Sequence, residues 1–319
     1  MKKQLLLVFV TAFGSLFTDV NTVFAQTWTQ TSAPSEVWQS LASSADGTKL
    51  VADTYGYGIY VSTNSGATWL EISYTGGIYF SRCSLASSAD GTKLVKHNAT
   101  FGSTGNIYTS TNSGATWTKT SAPLKKWSSV ASSADGSKIV ATTYGNVIYF
   151  STNSGGNWTP ASVSNQYWYC AASSADGTKL VAVSGNMASL LFGGIYISTN
   201  SGATWTKTSA PSLNWYCVAS SVDGNKLVAA IGGNTSGPIY TSMDSGITWT
   251  QTSVPDQFWQ SVASSADGTK LVAAANGGSP SGGPIYISTD SGATWVTATR
   301  PPTFGNRSFL RQTEANWQR

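Results

Sequence analysis

Short apolar stretches broken by polar turns run the length of this chain, and the same pattern returns again and again. In residues 259–265 (WQSVASS), 270–274 (KLVAA) and 285–288 (IYIS), Val, Ile, Tyr, Trp and Ala dominate. β-Branched and aromatic side chains of this kind pack well on a pleated surface. Asp267-Gly268, a loop rich in Gly, Asn, Ser and Pro, and Asp290-Ser291-Gly292 separate the runs. Such residues tolerate positive φ and close hairpins. Thr294-Trp295 opens a fourth run. The pattern predicts four short strands per unit, and no stretch sustains a helical period.

The unit occurs six times. The Asp of S-S-x-D-G falls at Asp46, Asp90, Asp135, Asp176, Asp223 and Asp267, in steps of 41 to 47 residues. A second marker agrees: the Gly of S-x-[ND]-S-G-x-x-W falls at Gly66, Gly114, Gly155, Gly202, Gly246 and Gly292. Four-stranded units of about 40–45 residues are the signature of β-propeller blades. The expected fold is therefore an all-β propeller of four-stranded antiparallel blades, spanning residues 26–300.

The second marker resembles the Asp-box, or BNR repeat, of sialidase-like propellers, also found in sortilin-type receptors and photosystem II assembly factors. Asp244 and Asp290 hold its acidic position in the last two repeats; Asn64, Asn112, Asn153 and Asn200 hold it in the first four. The resemblance implies a structural role: the Asp or Asn caps the hairpin, and Trp69, Trp117, Trp158, Trp205, Trp249 and Trp295 pack between sheets. It also implies that ligands meet the face opposite the boxes.

The ends are less regular. Lys2 and Lys3, the apolar run 5–17 and Val23-Phe24-Ala25 read as a signal peptide over residues 1–25, which predicts a secreted or periplasmic protein. Residues 27–33 (TWTQTSA) match a fourth strand. Residues 301–319 form a divergent or truncated tail that lacks the strands needed to complete that unit and holds three of the five arginines. Two closures are open: six blades, or seven with one incomplete.

Composition narrows the function. Only 10% of residues are charged, with one His, three Cys and three Glu among 319. The net charge of +4 has no basic clusters, so no nucleic-acid partner is expected. The Cys and His are too few for the usual structural zinc site, and neither metal nor cofactor is expected. A sialidase needs three arginines, and the propeller body has only Arg82 before Arg300 at its end. Another glycosidase would need two carboxyls facing a sugar. Outside the repeat pattern the body holds Glu36, Asp53, Glu71 and Asp256, of which Asp53 with Asp256 is the alternative catalytic pair. His97 is the only imidazole and has no supporting triad pattern.

The turns sort onto two faces. One carries the near-identical S-S-x-D-G turns and boxes. The other carries connections that differ among repeats, the usual setting for binding. Eight residues before the turn Asp stand Trp38, Trp127, Trp168, Trp215 and Trp259, with Arg82 in the second repeat. These six are the ligand-binding candidates, because Trp stacks on sugars and apolar ligands; the competing reading buries each Trp between blades. Lys49, Lys93, Lys138, Lys179, Lys226 and Lys270 follow each turn Asp by three and read as solvated partners of their own Asp. Cys83, Cys170 and Cys217 read as buried free thiols. The expected function is non-catalytic binding or scaffolding outside the cytoplasm. The expected partner is a polysaccharide or an extracytoplasmic protein, and the alternative is an exo-acting glycoside hydrolase.

Overall fold

The computed structural model describes residues 31–54, 58–73, 84–99, 103–185, 193–276 and 283–298, and the backbone of 313–314. The leader over 1–25, residues 27–30, Arg82, Cys83 and the rest of 301–319 lie outside the described residues.

The chain is an all-β propeller. Each repeat forms a four-stranded antiparallel meander, for example Trp259–Ser264, Leu271–Ala275, Ile285–Ser288 and Val296–Thr297. Numbered by repeat, blades two, five and six are separate four-stranded sheets, and blade one carries a fifth strand. Blades three and four join into one eight-stranded sheet, because Ile139–Asn146 runs on to pair with Gln166–Ser173 at Tyr144↔Tyr167 and Asn146↔Gln166. The first strands lie innermost: Trp38–Ser43, Leu85–Ser87, Trp127–Ser132, Gln166–Ser173, Trp215–Ser220 and Trp259–Ser264 each touch the next in turn.

Blades bury both faces. In blade two, Val95 and Ile107 face blade three and pack on its Trp127, Ile139 and Ala141. In blade one, Val51 and Ile59 face blade two and pack on Leu85 and Leu94. The second strands are therefore buried along almost their whole length, which the low charge content permits.

Both chain ends approach the gap between blades six and one. Ser32 Oγ donates to the carbonyl of Ala67 at 2.6 Å, as Ser121 Oγ does to Gly156 and Ser209 Oγ to Ile247. Ser121 and Ser209 follow the outer strands of the blades preceding those turns, so residues 31–33 stand where a blade before blade one would end. Thr313–Glu314 pairs in parallel with Trp38–Ser43 at Leu41↔Thr313 and also touches Trp259–Ser264. Thr313–Glu314 thus lies between the inner strands of blades six and one, and residues 31–33 lie against the box turn of blade one.

Candidate ligand-binding face

The turn face is built from side chains within a few residues of one another. In the first S-S-x-D-G turn, Ser44 Oγ donates to Asp46 Oδ1 at 2.6 Å, Thr48 N donates to the same oxygen, and Lys49 N donates to Ser44 Oγ. The serine hydroxyl, then the backbone N–H, hold Asp46, Asp90, Asp135, Asp176 and Asp267 down to a pKa of about 2. In the first box turn, Asn64 Oδ1 accepts from Ser62 Oγ and Thr68 N, Ser62 Oγ accepts from Gly66 N, and Trp69 Nε1 donates to the Gly66 carbonyl. Asp244 and Asp290 make the corresponding bonds in the last two blades. The Ser before each box Gly adopts φ of 56–59° in all six blades.

These turns also stitch one blade to the next. Ala45 N donates to Ala89 O, Ala89 N to Ala134 O, Ala134 N to Ala175 O, Ala175 N to Val222 O and Val222 N to Ala266 O, all at 2.7–2.8 Å. The lysines correct the expectation that each partners its own Asp. Lys49, Lys93 and Lys138 donate to the backbone carbonyls of Asp90, Asp135 and Asp176, each in the following blade. Lys179 reaches Asn225 and Ser245, also in the following blade. The stem of each lysine lies against the next turn glycine, so three residues of separation in sequence became a bond between blades.

The tryptophans are also corrected. Trp38, Trp127, Trp168, Trp215 and Trp259 are 0–8% exposed and form no open ring. Each meets a third-strand tyrosine edge-on: Tyr60, Tyr149, Tyr196, Tyr240 and Tyr286, with centroids 4.9–5.5 Å apart. Trp127 Nε1 donates to the Gly105 carbonyl and Trp259 Nε1 to that of Gly237, each in the preceding blade. They fill the gaps between blades because inner strands are covered on both sides. The sixth candidate, Arg82, lies outside the described residues.

The alternative acids do not form a pair across an open site. Asp53 Oδ2 lies 3.2 Å from Lys96 Nζ, with the two side chains 3% and 1% exposed. Asp256 is exposed in the connection entering blade six. A carboxylate sealed in an ion pair between blades one and two cannot face a sugar, so the glycosidase pair is withdrawn. Lys96 stands where the other five blades have Ala52, Ala141, Ala182, Ala229 and Ala273. Its blade is the one with Arg82 in place of Trp. Lys96 Nζ also sits 5.4 Å from the centroid of Trp117. His97 is fully buried beside it. Cys170 and Cys217 are buried free thiols, and burial, then the neighbouring Cys170, pushes the Cys217 thiol well up.

On the variable face the residue before four of the five tryptophans is open to solvent, as is Leu124 in the connection entering blade three. Tyr167 is 39% and Phe258 44% exposed, and Val37 and Lys126 are exposed as well. The strand register skips the residue after the tryptophan, a β-bulge, in five inner strands: Gln39, Ser128, Tyr169, Tyr216 and Gln260. Two tyrosines in successive bulges bring four rings together. Centroids of Tyr167 and Tyr144 are 4.7 Å apart, of Tyr144 and Tyr169 5.7 Å, and of Tyr169 and Tyr216 5.5 Å. The signal was present in the QYWYC and NWYCV segments (166–170 and 214–218), but the adjacent tryptophans hid it.

No family model matches the chain, and no curated protein matches it. Solved structures do. A GH74 xyloglucanase from Xanthomonas campestris superposes with a TM-score of 0.64 at 15% identity, over 82% of this chain and 47% of its own. The chain thus spans about half the length of that enzyme. YCF48 from Cyanidioschyzon merolae gives a TM-score of 0.59 at 15% identity, over 83% and 87% of the two chains. YCF48 bound to a D1 peptide gives 0.57 at 15%, over 82% and 81%. At such identities the similarity is one of architecture, and the architecture held in common is the β-propeller.

Proposed function

We propose that this chain is an exported Asp-box propeller that binds an extracytoplasmic polysaccharide or protein without chemistry, through the face opposite its Asp turns. One observation carries this reading: the two faces are built differently. The turn face is repeated and its hydrogen-bonding groups are engaged from blade to blade. The opposite face carries the dissimilar connections and the exposed Tyr167 and Phe258. Variation carried on a rigid frame is where recognition is built. The leader-like residues 1–25 support export to the secreted or periplasmic space. Removal of Asp53 into an internal ion pair favours binding over hydrolysis. Among the similar structures, a D1 peptide is bound to YCF48.

The test is retention of the purified chain on immobilised extracytoplasmic polysaccharide and protein fractions. Phe258→Ala is expected to weaken retention, whereas Thr294→Ala on the turn face leaves it unchanged. Retention lost with Thr294→Ala and kept with Phe258→Ala would place the ligand on the wrong face and reject the reading.

A further inference from the structure

The row Tyr167–Tyr144–Tyr169–Tyr216 breaks the repeat in one sector only. At the position of Tyr167 the other described blades have Val37, Lys126, Asn214 and Phe258; at that of Tyr169 and Tyr216 they have Gln39, Ser128 and Gln260. Tyr169 is buried and bridges Tyr144 of blade three to Tyr216 of blade five, whereas Tyr144 and Tyr216 are half-buried and Tyr167 is exposed. The rings therefore form one aromatic strip that crosses three blades and opens at the surface.

The strip is held rigid from below. Strand pairing joins blades three and four into one sheet here, through Tyr144↔Tyr167 and Asn146↔Gln166, where the junctions of blades two with three and five with six carry only isolated bridges such as Gly105↔Lys125 and Gly232↔Trp259. Gly145, at φ +83°, lies beneath the ring of Tyr167. A platform fixed before the ligand arrives loses little entropy on binding.

Its surroundings select the ligand class. Segments 142–148 (TTYGNVI), 163–169 (VSNQYWY), 211–216 (PSLNWY) and 231–238 (IGGNTSGP) contain no Asp, Glu, Lys or Arg. They offer amides and hydroxyls instead, in Asn146, Gln166 and Asn214 among others. Lysines stand at its margins and not within it: Lys125 leans over Tyr149 with Nζ 5.9 Å from the ring centroid, exposed Lys126 accepts from Tyr144 N through its carbonyl, and Lys207 Nζ lies 3.2 Å from Ser212 Oγ. An uncharged aromatic platform rimmed by amides fits a neutral, hydroxyl-rich ring: its C–H face stacks on the phenol rings and its hydroxyls bond to the rim.

We propose that this strip is a binding subsite for a neutral polysaccharide, with Tyr167 and Tyr216 as its stacking residues. The proposal rests on the binding function above and names the ligand class for that face. It is tested by affinity electrophoresis in gels containing neutral soluble polysaccharides (a mixed-linkage β-glucan, a galactomannan, a xyloglucan) or the anionic polygalacturonate. A proline-rich peptide is titrated separately by calorimetry. Retardation by at least one neutral polysaccharide is expected. Tyr167→Ala and Tyr216→Ala each weaken it about tenfold or more, and Tyr167→Phe retains it. Thermal unfolding of each variant at the wild-type temperature shows that the frame is intact. Retardation by polygalacturonate alone, affinity for the peptide alone, or neutral-glycan binding indifferent to both alanine variants would overturn the subsite. Retention of a protein fraction that Phe258→Ala abolishes, with no glycan retardation, would overturn the subsite and leave the binding function standing.

Discussion

Replacing Lys96 by Met keeps the aliphatic stem and removes the charge, which leaves Asp53 sealed between blades one and two. The pair spans 3.2 Å, and its two side chains are 1% and 3% exposed. Breaking a buried pair from one side costs about 3–5 kcal/mol, because the remaining ion has lost both water and partner. Loss of the cation over Trp117 adds roughly 0.5–2 kcal/mol. Asp53→Val leaves Lys96 buried without its carboxylate and is expected to cost a similar amount. At about 2 °C per kcal/mol for a chain of this size, Asp53→Val should unfold roughly 6–10 °C and Lys96→Met roughly 7–14 °C below wild type. The double variant Lys96→Met/Asp53→Val removes both ions and places at 53 the residue that blade four has at Val183. It should recover most of the loss, since apolar replacement of a buried pair is often neutral or better. Differential scanning calorimetry of the four proteins gives the coupling directly. Single variants within 2 °C of wild type, or a double variant as low as the two losses added, would refute the assignment of this pair as a sealed interblade contact.

Two further outcomes follow from the turn face. Gly136→Ala should destabilise the propeller clearly more than Gly47→Ala, by comparison of denaturant midpoints. Both glycines have positive φ (67° and 71°), but a Cβ at Gly136 would lie 2.8 Å from the Lys93 stem, whereas at Gly47 it meets open space. Lowering the pH should leave the unfolding temperature level until the ordinary carboxylate range, then depress it as the pH falls from 3.8 to about 2. The sign follows because the folded turn aspartates ionise at lower pH than the unfolded ones. Their stabilisation is present above the unfolded pKa and is lost as they protonate. Asp135→Asn should shallow that decline, and a decline that begins well above pH 5 would assign it to other groups.

The six repeats, their four strands and the identity of the turn face were legible in the chain because each turn closes on itself. Ser62, Asn64, Gly66, Thr68 and Trp69 satisfy one another within eight residues, so the motif carries its own geometry wherever it occurs. The exposure of a tryptophan was not legible. Trp168 and Tyr167 are neighbours of similar chemistry in one strand, yet one is fully buried and the other open. Alternation turns the two to opposite sides of the strand, but which side is covered depends on the neighbouring blade, and the bulge at Tyr169 then resets the alternation beyond it, which hydrophobicity does not encode.

The sequence by itself therefore determined the blades, their boundaries and the hydrogen bonds that cap them, all interactions over a few residues of chain. Only the tertiary structure decided what each blade does to the next. Lys49 left its own Asp46 for the turn of blade two, Lys96 found Asp53 across 43 residues, and Tyr144, Tyr169 and Tyr216 came into one row from three blades. Such contacts depend on which face of a blade meets its neighbour, a relation set by packing copies side by side.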